Sequence, residues 1–125
     1  MVAQVTLVCG PPCAGKTTYV RERAQPGDTV LDADVIGQRA MSKALRGPLE
    51  GRVWVIRCCP GARARQVLAA ELGGAEVVLL LPTERELLRR AMARTHPRRH
   101  VMAVKAWLRT EAAARDPLPT PMTQW

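Results

Sequence analysis

The segment Gly10-Pro11-Pro12-Cys13-Ala14-Gly15-Lys16-Thr17 restricts what this chain can fold into more than any other. It fits the pattern G-x-x-x-x-G-K-(S/T), and its flanks are those the pattern needs. Val2 to Cys9 is an apolar, β-branched-rich run that predicts a buried parallel strand, and Lys16 to about Ala24 predicts a helix stopping before Pro26 and Gly27. Between a strand and a helix, such a loop turns backbone N–H groups onto a phosphate while the positive end of the helix points at the same anion. Lys16 is then expected to reach the β and γ phosphates of ATP, and the Thr17 hydroxyl to hold Mg2+. The expected nucleotide contacts are Gly10, Pro11, Pro12, Cys13, Ala14, Gly15, Lys16, Thr17 and Thr18.

Cys13 is the unusual member of the loop. A side chain at that point resists positive φ and crowds the phosphates, so a small one such as cysteine is expected to fit at some cost in affinity. A regulatory alternative is that oxidation of Cys13 blocks the loop.

The rest of the chain alternates strand and helix. Strands are expected at Thr29 to Asp32, Arg52 to Cys58 and Glu76 to Leu81. Between them, a helix capped at Asp34 carries Val35, Ile36, Ala40, Met41, Ala44 and Leu45 at helical spacing up to Gly47 and Pro48. Another runs from Pro60 to Leu72 with Ala64, Val67, Leu68 and Leu72 on one side, closed by Gly73 and Gly74. Two more follow, about Thr83 to Arg94 and Pro97 to Arg115. This order predicts an α/β three-layer sandwich with a small parallel sheet of about four strands, ligands binding at the strands' carboxyl ends. With 125 residues there is room for one such domain, 1–115, followed by a Pro-rich tail, 116–125.

The missing Phe and 3% aromatic content leave the core to Val, Leu, Ala, Ile and Met, as in a sheet flanked by helices. No run approaches the roughly 18 to 20 apolar residues that span a bilayer, and the first residues read as a strand instead of a signal peptide. A soluble, intracellular protein without membrane contact is expected. Cys9, Cys13, Cys58 and Cys59 lack C-x-x-C spacing, so reduced thiols acting as small hydrophobes are the simpler reading beside a metal or disulfide role.

Leu31-Asp32-Ala33-Asp34 closes the second strand beside the loop. Alternation along a strand sends both carboxylates toward a common cleft, where Asp32 can order magnesium-bound water and Asp34 can accept the proton of an attacking hydroxyl. The plain alternatives are a strand-end residue and a helix N-cap. An acid ending a later apolar strand, which motors and switch GTPases need, is absent: those strands end Ile56-Arg57-Cys58 and Leu80-Leu81-Pro82.

The net charge of +8 is concentrated late. Arg85, Arg89, Arg90, Arg94, Arg98, Arg99, Lys105 and Arg109 stand against Glu86 alone, a field that attracts polyanions, although solvated arginines on a helix would read the same way. Leu87, Leu88, Ala91 and Met92 form an apolar stripe, with Arg90 and Arg94 on another edge, the layout of an arginine-rich helical lid over phosphates.

Together, the loop, the Asp after the second strand and a Pro82, Leu87, Leu88, Arg90, Arg94 segment resemble the P-loop kinase domain of phage-type polynucleotide 5′-hydroxyl kinases and of small phage-encoded kinases loosely described as AAA-type ATPases. The resemblance spans most of residues 2–110. It implies that Lys16 and Thr17 bind phosphate and magnesium, that Asp34 is the general base, and that Arg94, with Arg90 near it, contacts the donor phosphates. The family's arginine three residues after its catalytic Asp, which contacts the acceptor's 3′ phosphate, is Gly37 here, with Arg39 two further on; its acid after the third strand is replaced by Arg57-Cys58-Cys59. The Asp-x-Asp pattern is also similar to shikimate- and gluconate-type kinases. Three readings follow: an ATP-dependent kinase of a nucleic acid or nucleotide hydroxyl, a kinase of a free nucleoside or small metabolite, and a non-catalytic module binding ATP and nucleic acid.

Overall fold

The computed structural model describes residues 3–114. The chain forms β1 (Gln4–Cys9), α1 (Lys16–Arg23), β2 (Thr29–Asp32), α2 (Ala33–Arg46), β3 (Arg52–Arg57), α3 (Ala62–Glu71), β4 (Glu76–Leu79), α4 (Glu84–Met92) and α5 (Pro97–Ala114). The four strands make one parallel sheet in the order β2-β3-β1-β4. The expected α/β class and four-stranded parallel sheet are therefore present; the expected tail, 116–125, lies outside the described residues.

Each face of the sheet carries its own core. Leu7, Cys9, Val53 and Val55 pack with Met41 of α2 and, more peripherally, Leu68 and Leu72 of α3. Val8, Trp54 and Ile56 pack with Val20 of α1 on the opposite face. A third cluster joins Leu87 and Ala91 of α4, Val104 of α5, and Cys13 and Ala14 of the loop after β1. The helices that leave β1 and β3 thus go to opposite faces, and a crevice opens between the carboxyl ends of those two neighbouring strands, where ligands bind in sheets of this kind.

Four expectations are corrected. The N-cap of α2 is Asp32, not Asp34: its carboxylate accepts the Asp34 N–H at 3.0 Å, because β2 passes into the helix without a loop. That helix is broken at Gly37, whose φ of 87° and ψ of 161° separate a first turn, residues 33–36, from the remainder, a conformation that costs a residue without Cβ little. On α3 the buried residues are Arg65 and Ala69; of the expected face Leu68 and Leu72 pack against the core, but Ala64 and Val67 face solvent, because Arg65 has a buried acidic partner. Met92, expected in the apolar stripe of α4, is exposed.

No helix among the described residues is long and apolar enough to cross a membrane.

Candidate functional site

The loop after β1 is shaped from both ends. Gly10 is required by close approach: a Cβ there would fall 2.4 Å from the carbonyl oxygen of Leu80. Gly15, at φ 91°, is the N-cap of α1 and supplies no side-chain acceptor, and the first turn holds no acid. By contrast, α2 and α4 are capped by Asp32 and Thr83. The first N–H groups of α1 therefore have no side-chain acceptor, and they stand at the positive end of the helix, the end whose field favours anions.

Cys13 does adopt positive φ, 71°, which costs a non-glycine residue roughly 1–2 kcal/mol. Its thiol turns into the α4–α5 cluster and is buried, so it leaves the face of the loop to the main chain. Arg90 holds it there: one guanidinium nitrogen donates to the Cys13 carbonyl at 3.0 Å while another donates to Glu86 at 2.7 Å. Arg90 is thus turned to the back of the loop, whereas Arg94 reaches its front.

Lys16 is buried, with its ammonium donating to the carbonyls of Gly10 at 3.0 Å and Pro11 at 2.9 Å and lying 3.7 Å from the Cys58 sulfur. The Thr17 hydroxyl donates to the buried Asp32 carboxylate at 2.9 Å. These two hard oxygens fit magnesium, which usually takes one or two protein oxygens and fills its octahedron with water and phosphate. Among the described residues no group of three or more His, Cys, Asp or Glu could hold a metal by itself.

A cleft of about 200 Å³ lies in front of the loop, lined by residues 12–18 together with Asp34, Arg94 and His100. Lys16, Thr17, Asp34 and Arg94 therefore converge on one space with the expected loop residues 12–15 and Thr18. Asp32 does not share it: the helix begins at Ala33, strand alternation stops, and Asp32 and Asp34 stand on either side of Thr17. Arg39 is exposed and stands outside the residues lining the cleft.

His100 and the α5 contacts behind the site are additions to the expected set. Trp107 donates its indole N–H to the Cys58 carbonyl at 2.7 Å, and the Glu111 carboxylate accepts the Gly61 N–H at 2.6 Å. His100, Val104, Trp107 and Glu111 recur at spacings of four, three and four, so two polar residues interrupting an apolar helical stripe were the signal available.

The four cysteines are free thiols. The Cys9 thiol donates to the Cys59 sulfur, and with Arg57 and Arg65 nearby this brings Cys59 down to about 7 against the opposing effect of its burial. The same hydrogen bond, with burial, raises Cys9, and burial raises Cys58. The thiolate fraction of Cys59 grows as pH climbs through about 7, so iodoacetamide labelling followed by peptide mass spectrometry is expected to give a Cys59 profile with its midpoint there. Cys58 and Cys9 should lag; equal rates for Cys58 and Cys59 at pH 7 would show that the Cys9 hydrogen bond does not hold in solution.

No family model matches the chain, and no curated protein matches it.

Proposed function

We propose that this protein is a P-loop phosphotransferase that moves the γ-phosphate of ATP to a hydroxyl of a nucleoside, nucleotide or nucleic acid. The observation that carries the reading is the uncapped start of α1 with Lys16 behind it, the Thr17–Asp32 pair beside it, and Asp34 and Arg94 across the cleft.

In this mechanism the loop N–H groups and the positive end of α1 bind the β-phosphate. Lys16 leaves the Gly10 and Pro11 carbonyls for the bridging region between the β and γ phosphates, where negative charge grows as the bond to ADP breaks. Arg94 approaches the γ-phosphate oxygens from the opposite wall. Asp34 takes the proton of the acceptor hydroxyl as its oxygen bonds to phosphorus, so the products are ADP, the phosphate ester and a proton on the carboxylate. Magnesium, held through Thr17 and Asp32, would neutralise phosphate charge and fix the in-line geometry. Arg90 acts as a positioning residue, through the Cys13 carbonyl. The absence of an acid at the end of β3, where Cys58 meets Lys16 instead, favours transfer to an acceptor over a motor cycle.

The test is transfer of labelled γ-phosphate to a panel of nucleosides and 5′-hydroxyl oligonucleotides. Because Asp34 is solvent-exposed and water can partly replace it, Asp34→Asn is expected to lower the rate by roughly 10²-fold, the low end for a general base. Undiminished transfer removes Asp34 from the mechanism.

A further inference from the structure

A second cavity, of about 390 Å³, adjoins the phosphate cleft on the β2 side. The two spaces share Thr17, and Asp32 lines the new one. Its walls are apolar: Ile56 from β3, Val30 from β2, and Val35 and Ile36 from the first turn of α2. Val30, Val35 and Ile36 are 45%, 77% and 37% exposed, a cluster of uncovered apolar side chains beside a charged site, which calls for a ligand.

The break at Gly37 makes this arrangement possible. It isolates residues 33–36 as a single turn capped by Asp32, so that Asp34 lines the phosphate cleft while the next two residues line the apolar cavity. Among the described residues lining the cavity Arg21 is the one cation. None of the lining comes from α4 or α5, which carry the basic residues from Arg85 to Arg109. A strand of nucleic acid needs a run of cations along its backbone.

From this juxtaposition we infer that the cavity holds the body of the phosphate acceptor, and that the acceptor is a free, small alcohol of nucleoside size, with an apolar body and no more than one anionic group. The inference rests on the phosphotransfer reading. The body lies against Val30, Val35 and Ile36, the hydroxyl points past Thr17 toward Asp34, and Arg21 meets an anionic substituent where one is present.

The chain contains two isoleucines, Ile36 and Ile56, and both line the cavity. A protein labelled with ¹³C at isoleucine δ1 methyls therefore gives two signals that both report on it, assigned with Ile36→Val. With ADP and magnesium present, titration with thymidine or adenosine is expected to move both signals saturably, with little change between low and high salt. Val35→Asp is expected to raise KM for the nucleoside about 10-fold. Methyls silent to nucleosides while labelled phosphate still reaches another acceptor would overturn the inference and leave the phosphotransfer reading standing. So would a 5′-hydroxyl oligonucleotide that moves them at lower concentration with steep salt dependence, or glycerol moving them as well as thymidine does. Saturable shifts without any phosphate transfer would keep the cavity as a nucleoside site and remove the kinase reading instead.

Discussion

Replacing Lys16 by Met is expected to lower phosphate transfer by about 10³-fold, at the lower end of what a cationic contact to a transferring phosphoryl group supplies. The melting temperature is expected to stay within about 5 °C, the shift that roughly 1 kcal/mol gives a domain of this size. The two expectations have different causes. In the folded chain Lys16 is 6% exposed, and the partners of its ammonium are two carbonyls and a thiol, with no carboxylate among them. Burying an ammonium costs several kcal/mol, and hydrogen bonds from a charged donor return about 1.5–3 kcal/mol each, so the opposing contributions nearly cancel. Methionine fills the same length with no charge to bury. With nucleotide bound the balance differs, because the cation meets phosphate charge that grows toward the transition state, and nothing on a thioether replaces that. Thermal unfolding and labelled-phosphate transfer on one preparation check both halves. A loss of more than 10 °C would make Lys16 a structural residue, and unchanged transfer would take it out of the chemistry.

The loop, the strand before it and the helix after it are local features, fixed by glycine geometry and by a run of apolar residues; the elements stand where they were expected to within two or three residues. The approach of Asp34 to Lys16 followed from topology, since every parallel strand delivers its carboxyl-terminal loop to the same end of the sheet, whereas Arg94, beyond the end of α4, reaches the cleft through helix packing. Side-chain direction was harder. Val67 suits an inward position by hydropathy but faces solvent, because the face of α3 was decided by Arg65 and a partner 46 residues away. Asp32 and Asp34 part for a related reason: side chains alternate only while a strand continues, and the carboxylate that ends the strand is the one that starts the helix. The role of Arg90, divided between Glu86 and the Cys13 carbonyl, depends on α4 packing over the loop and has no counterpart in helical spacing alone.

The distant partner of Arg65 gives the largest expected effect on stability. Arg65 and Glu111 meet through two parallel hydrogen bonds of 2.8 Å, and both are about 5% exposed. The Gly61 N–H donates to the same carboxylate at 2.6 Å, and Arg65 also donates to the Cys59 carbonyl at 3.1 Å. One carboxylate on α5 therefore holds the start of α3 and the segment that carries Cys58 behind Lys16. The neighbouring carboxylate is what raises the Arg65 guanidinium above its ordinary value. Glu111→Ala leaves a buried guanidinium without its counter-charge and a buried N–H without its acceptor, and is expected to cost about 3–5 kcal/mol. At roughly 3–6 °C per kcal/mol in a chain of this length, the melting temperature should fall by at least about 10 °C. Replacing both partners, with Arg65→Met and Glu111→Leu together, removes the uncompensated charge and is expected to recover most of that loss. Calorimetric or circular-dichroism melts of the three variants decide the matter. If the double variant is as unstable as Glu111→Ala, the pair contributes by shape and not by charge; if Glu111→Ala melts with the parent chain, α5 is not anchored to α3 through this carboxylate.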